Sequence, residues 1–147
     1  MRPLISGLAL LLACAHGGGA VRVTGSVLYR ERIALPQDAL VRVTLADVSL
    51  IDVPERVIAE QEIRSEGRQV PIPFVLEVPA GAIDEARSYA VRAQILDASG
   101  QLLWSSRERH AVLTRGAPSE LRILLRRVAP AGGPGARTQR GSGHVLD

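Results

Sequence analysis

Few groups in this chain stand where their type and spacing suggest chemistry. Glu60 and Glu62 share one face of any strand that holds them, about 7 Å apart, a spacing that invites acid–base cleavage of a glycosidic bond. Paired carboxylates on an exposed strand face are more commonly solvated, and we read them so. His110 is the one histidine of the central region, with His16 and His144 near the two ends. A single histidine builds no multi-histidine metal site. A serine–histidine pair with Ser105 or Ser106 lacks the Gly-x-Ser-x-Gly elbow, and the two serines read more simply as a solvent-facing strand end. No glycine-rich loop follows a strand and opens a helix, so the usual nucleotide cradle is missing. The expectation is a protein that binds rather than catalyses, with no metal and no cofactor.

The lone cysteine, Cys14, excludes an intramolecular disulfide and a cysteine-based metal cluster, so its position matters more than its count. Arg2 supplies one positive charge, and the run from Leu4 to Ala13 is apolar except at Ser6 and Gly7. That is the core of a signal peptide spanning 1–13, too short to cross a bilayer as a helix. It ends in Leu11-Leu12-Ala13-Cys14, which resembles the lipobox of bacterial lipoproteins: apolar, then small, then the thiol that accepts diacylglycerol. One acyl chain anchors only marginally, whereas several on one cysteine hold firmly. The alternative is an ordinary signal peptide in which Cys14 is one more apolar residue. If the lipobox reading holds, Ala15 rather than Asp after the cysteine sorts such a protein to the outer membrane, and residues 14–20, with Gly17-Gly18-Gly19, form a lipidated flexible tether.

Whatever binding surface exists must be positioned by strands. From Val21 onward apolar residues alternate with polar ones, the signature of strands with one buried face. Val21, Val23, Val27 and Tyr29 share a face, as do Val41, Val43 and Leu45, and a third strand runs around Val57 to Ile63. The clearest stripe is Val70, Ile72, Phe74, Leu76 and Val78. Pro71 and Pro73 on its opposite face place this strand at a sheet edge, because proline donates nothing to a ladder. Val70, Ile72, Phe74 and Leu76 therefore mark a candidate edge for binding a peptide strand, unless the prolines protect it from such pairing. Tyr89, Val91, Ala93 and Ile95 lead to an Asp97-Ala98-Ser99-Gly100 turn and a return strand through Leu102 and Trp104. Val112-Leu113 and then Leu121, Ile123 and Leu125 close the core. Ala80 to Ala86 is the one helical candidate, about one turn. The fold class expected is all-β: an immunoglobulin-like antiparallel β-sandwich of seven to eight strands over 21–128, followed by a disordered tail, 129–147.

The charge balance narrows the partners. The 147 residues carry a net charge of +3 from 18 arginines and 15 acidic residues, without a lysine or an asparagine. That bias reads as the codon usage of a GC-rich genome. Charges alternate in sign, as in Arg30-Glu31-Arg32 and Arg107-Glu108-Arg109, which describes a solvated face rather than a nucleic-acid footprint. Aromatic residues make up only 3% of the chain, so Trp104 is expected in the core rather than on a sugar-binding platform.

The stretch Val23-Thr24-Gly25-Ser26-Val27-Leu28-Tyr29-Arg30-Glu31-Arg32-Ile33-Ala34-Leu35-Pro36 resembles the opening of the YbaY-type lipoprotein domain, a family that includes the YscW-type lipoprotein chaperones, or pilotins, of type III secretion. Further similarity follows in order at Val41 to Ser49, Val57 to Gln61, Gly67 to Phe74, Tyr89 to Asp97 and Val112 to Gly116. The resemblance implies a sandwich on a lipid-anchored periplasmic protein, with the membrane and an outer-membrane or secretion-system protein as partners. It implies no catalytic residues. The other reading the sequence leaves open is a module that binds envelope polysaccharide, with exposed arginines near Trp104.

Overall fold

The computed structural model describes residues 19–129. Leu11, Leu12, Ala13 and Cys14 lie outside the described residues, as do the rest of the leader, the tether up to residue 18 and the tail from residue 130. The strands are β1 (Ala20–Leu28), β2 (Leu40–Asp47), β3 (Arg56–Arg64), β4 (Ile72–Pro79), β5 (Tyr89–Leu96), β6 (Leu102–Ser105), β7 (His110–Val112), β8 (Glu120–Leu124) and the two-residue β9 (Arg126–Arg127). The helical candidate shrinks to one 3-10 turn, Ala80–Ala82.

Two sheets stack face to face. The smaller has the order β4-β1-β8, and the larger runs β3-β2-β5-β6-β9, with β7 also on β5. The alternating valines, leucines and isoleucines decide this. In β4, Ile72, Phe74, Leu76 and Val78 are buried while Pro73, Val75, Glu77 and Pro79 are exposed. Val23, Val27, Val41, Val43, Leu45, Val91, Ile95 and Ile123 are sealed completely from solvent. Each such side chain contributes about 1.5–3 kcal/mol on burial. Trp104 is core too, stacked on Tyr29 with ring centroids 4.4 Å apart.

One pairing departs from the antiparallel expectation: β8 runs parallel to β1, from Thr24 opposite Glu120 to Leu28 opposite Leu124. β4 already lies antiparallel on the other flank of β1. The 113–119 loop delivers β8 at the end of the sandwich where β1 begins, so the two strands must run the same way. The serine pair differs in part. Ser105 ends β6 as read, but Ser106 just beyond it is not free: its N–H donates to the Ala93 carbonyl at 2.9 Å and its Oγ accepts from Ala93 N–H at 3.1 Å. β5 thereby keeps one continuous partner built from two short strands.

The turn after β5 follows its sequence cue. Asp97 accepts from the N–H groups of Ser99 and Gln101, and Gly100 takes φ +87°. At the corner before β5 the Tyr89 hydroxyl accepts from Asp84 N–H at 2.9 Å, as in the tyrosine corners of immunoglobulin-like sandwiches.

Gly25, in the middle of β1, has no such cue. A Cβ there would overlap the Leu121 carbonyl oxygen and crowd the Phe74 ring. Gly25→Ala should therefore cost about 1–3 kcal/mol, as overpacking does. Urea unfolding followed by Trp104 fluorescence checks this, and an unchanged midpoint would show that β8 can move aside.

Candidate functional site

The groups with catalytic spacing are occupied structurally. Glu60 and Glu62 do share a face of β3, but Arg42 on β2 donates through Nε and NH2 to Glu62 Oε1 at 2.9 and 2.8 Å, and Glu60 lies 3.7 Å from Arg42. Thr44 Oγ1 donates to Glu60 Oε2 at 3.3 Å. The Arg42 guanidinium thus lies against both carboxylates, an ion-paired arrangement on the sheet face rather than an open acid–base pair. His110 sits on β7 beside Arg107 and Arg126, and the hydroxyls of Ser105 and Ser106 turn to backbone groups instead of the imidazole. No group of metal-binding side chains gathers among the described residues. With Trp104 buried, the aromatic platform of a sugar-binding reading is gone.

Binding by strand addition needs an edge with free donors and acceptors, and the sandwich has two long edges side by side. β4 is the edge of the smaller sheet. Because Ala80 N–H points back to Gly19, and Thr24 N–H points away to Ser119, the ladder turns the backbone of Pro73, Val75, Glu77 and Pro79 outward. Two of those four have no N–H. The Val75 N–H is taken by Gln61 Oε1 of β3 at 2.8 Å, which ties the two sheets together. Ile72, Phe74 and Leu76 face the core, and Val70, half-buried, precedes the strand. This edge offers one free donor, at Glu77.

β3 is the corresponding edge of the larger sheet and is nine residues long. Ser65 N–H bonds the Ala39 carbonyl, so Ile63, Gln61 and Ala59 face β2, and the backbone of Glu60, Glu62 and Arg64 points outward. The Arg64 carbonyl accepts from Arg68 at 2.9 Å. The amide and carbonyl groups of Glu60 and Glu62 have no partner among the described residues.

A cleft of about 360 Å³ opens at the end of the sandwich where the chain enters, lined by Asp47, Arg56, Val57, Gly81, Ala82, Asp84 and Arg87. Asp47 organises its floor. The nearly buried carboxylate accepts from Ser49 Oγ at 2.5 Å, Ser49 N–H at 2.9 Å and Arg87 NH1 at 2.7 Å. The Ser49 hydroxyl first, then its N–H and the Arg87 guanidinium, lower the acid from the ordinary 3.8 to about 2. Thr114 Oγ1 donates to the Arg87 carbonyl at 2.8 Å, which fastens the 113–116 turn to the same group. Glu55 beside it pairs with Arg92 at 3.1 Å and Arg109 at 2.6 Å. Leu50, Ile51, Val53 and Val57 stay exposed at the rim, Ile51 almost completely at 96%. Nothing in the alternation of the strands marked this loop, although Leu50-Ile51 is an apolar pair outside any strand pattern.

Compared with known proteins, residues 19–125 match the family model described as type III secretion system lipoprotein chaperone (YscW). The chain belongs to that family. The match ends on Leu125, the last buried residue of the core, and takes in every strand except the two-residue β9. A solved alternative pilotin from the type II secretion system of Vibrio cholerae is similar at 39% identity with a TM-score of 0.72, covering 76% of this chain and 99% of that one. The lipoprotein YbaY of Escherichia coli K12 is 47% identical over 66 residues, 44% of this chain. The match spans only 35% of YbaY, about a third of that protein's length.

In this YscW chain the Asp47 group sets an acid dependence. Its pKa is lower in the folded state, so its contribution is complete above about pH 4 and disappears as the pH falls through 2. Asp47→Asn should cost about 1.5–3 kcal/mol at pH 7, where the charged hydrogen bonds are lost, and much less near pH 2. Thermal unfolding of both proteins across this range checks the expectation, and a penalty independent of pH would rule out the charge as its source.

Proposed function

We propose that this chain is an outer-membrane lipoprotein, cleaved after Leu11-Leu12-Ala13 and acylated on Cys14, whose periplasmic sandwich is a non-catalytic, chaperone-like module for an outer-membrane or secretion-system protein. The observation that carries this reading is the similarity to a pilotin along 99% of that pilotin's length. The engagement of Glu60, Glu62, Ser105 and Ser106 in structural contacts supports the non-catalytic part. Ala15 after the cysteine supports the outer membrane as destination.

The open backbone of β3 at Glu60 and Glu62 is the place in this fold best prepared to receive an extended peptide. Backbone hydrogen bonds supply affinity in that mode, and side-chain pockets supply selection. The ionic pairs of Arg42 hold the two carboxylates back over the sheet. At β4, by contrast, an added strand would meet Pro73, the capped Val75 and Pro79, so the Val70 to Leu76 stripe serves as a core face behind a protected edge.

Two measurements test the reading in a Gram-negative host. Mass spectrometry of membrane fractions should find acylated Cys14 in the outer membrane, absent in Cys14→Ser. A photo-crosslinking amino acid at Glu62 should capture an outer-membrane protein that the same probe at Glu77 does not. An unmodified protein free in the periplasm would remove the anchor, and equal capture at both positions would remove β3 as the docking edge.

A further inference from the structure

We propose that the Leu50 to Val53 loop is a membrane-contacting surface, dipping its apolar side chains into the bilayer that holds the lipid anchor. The inference rests on the reading of Cys14 as acylated and adds where the folded domain meets the lipid. Soluble surfaces tolerate single exposed apolar residues, but a cluster at one point marks contact with something. Leu50, Ile51, Val53 and Val57 are exposed by 64%, 96%, 50% and 52%.

Their place identifies the occupant. Ala80 N–H donates to the Gly19 carbonyl at 2.9 Å, which fixes the point where the chain leads out toward Cys14. Gly81 and Ala82 share a cleft with Asp47, Arg56 and Arg87, and those three residues line a second cleft with Leu50 and Val53. The apolar loop and the start of the tether thus occupy one end of the sandwich. From Cys14 to Gly19 the chain reaches at most roughly 17 Å, so an acylated cysteine keeps this end near the bilayer surface. Val128 N–H, where the tail begins, bonds the Leu103 carbonyl beside the 97–101 turn at the other end.

Charge does not drive this contact. The acids at this end are largely matched by arginines, Asp47 and Asp84 by Arg87 and Glu55 by Arg92 and Arg109, so attraction to anionic lipid is weak. The driving force is transfer of aliphatic side chains into the boundary between headgroups and acyl chains, which raised salt leaves intact. Asp47 serves the loop indirectly: its bonds to Ser49 fix the backbone immediately before Leu50.

The test uses the full acylated protein in vesicles of phosphatidylethanolamine and phosphatidylglycerol, with Ile51→Trp beside Gln101→Trp at the far end. Trp104 is buried against Tyr29 and gives both variants the same background. Brominated lipid should quench the added Ile51→Trp emission at least about twofold, should leave Gln101→Trp unchanged, and should do so equally at high salt. Mass spectrometry of each sample reports acylation of Cys14. Acylated protein with Ile51→Trp unquenched would overturn the membrane contact while keeping the anchor, and would assign the loop to a protein partner. Absence of acyl chains would overturn both readings.

Discussion

Every pairing in the smaller sheet passes through β1, and β1 accepts neighbours on both flanks only because residue 25 has no side chain. β4 lies antiparallel along eight pairs and β8 parallel along five. At Gly25 the Leu121 backbone and the Phe74 ring converge on the space a Cβ would fill. The large sheet has six strands to share its contacts, whereas the small one has three. Loss of close approach at this single point would loosen the cover that the small sheet lays over the aliphatic face of β2 and β5. Parallel pairing is also the kind that a short turn cannot create. β1 and β8 are separated in the chain by β4 and by every strand of the large sheet except β9, so this crowded contact joins distant parts of the sequence.

This explains which parts of the fold were legible in the sequence. Strand stripes are local, with period two, and Val41, Val43 and Leu45 or Ile72 to Val78 declare their faces without reference to anything distant. The Asp97 to Gly100 turn is equally local, since it depends on one carboxylate and one residue free to adopt positive φ. The flank on which β8 docks is not local. It depends on the direction in which the 113–119 loop arrives, and the residues concerned are about a hundred positions apart. β9 has two residues and no period at all. The serine pair shows the same limit: its sequence suggests a strand end, and only the gap between β6 and β7 makes Ser106 a substitute for a missing ladder bond.

The site was legible in kind rather than in place. Glu60 and Glu62 were correctly set on one face, but Arg42, which makes them structural, lies on β2 and carries no spacing signal relative to them. The prolines of the Val70 to Val78 stretch identified an edge. Their outward phase, which leaves that edge nearly without donors, needs the ladder parity that Ala80 and Thr24 reveal. Gln61 completes the effect from the other sheet. A glutamine in a strand gives no hint that its amide oxygen will cap the backbone of a neighbour fourteen residues later.

The two edges therefore have opposite chemistry although they lie side by side. An unprotected edge invites self-association, and natural sheets guard against it with proline, charge or cover. β4 uses proline and a borrowed glutamine, which leave its outward backbone a single donor at Glu77. β3 uses Glu60, Glu62 and Arg64, whose charges discourage casual pairing but leave the backbone groups intact. A partner with complementary charge can still add a strand there, whereas another copy of β3 would bring two glutamates against two glutamates. The difference between a closed edge and an open one thus resides in which of two adjacent strands was given proline and which was given glutamate.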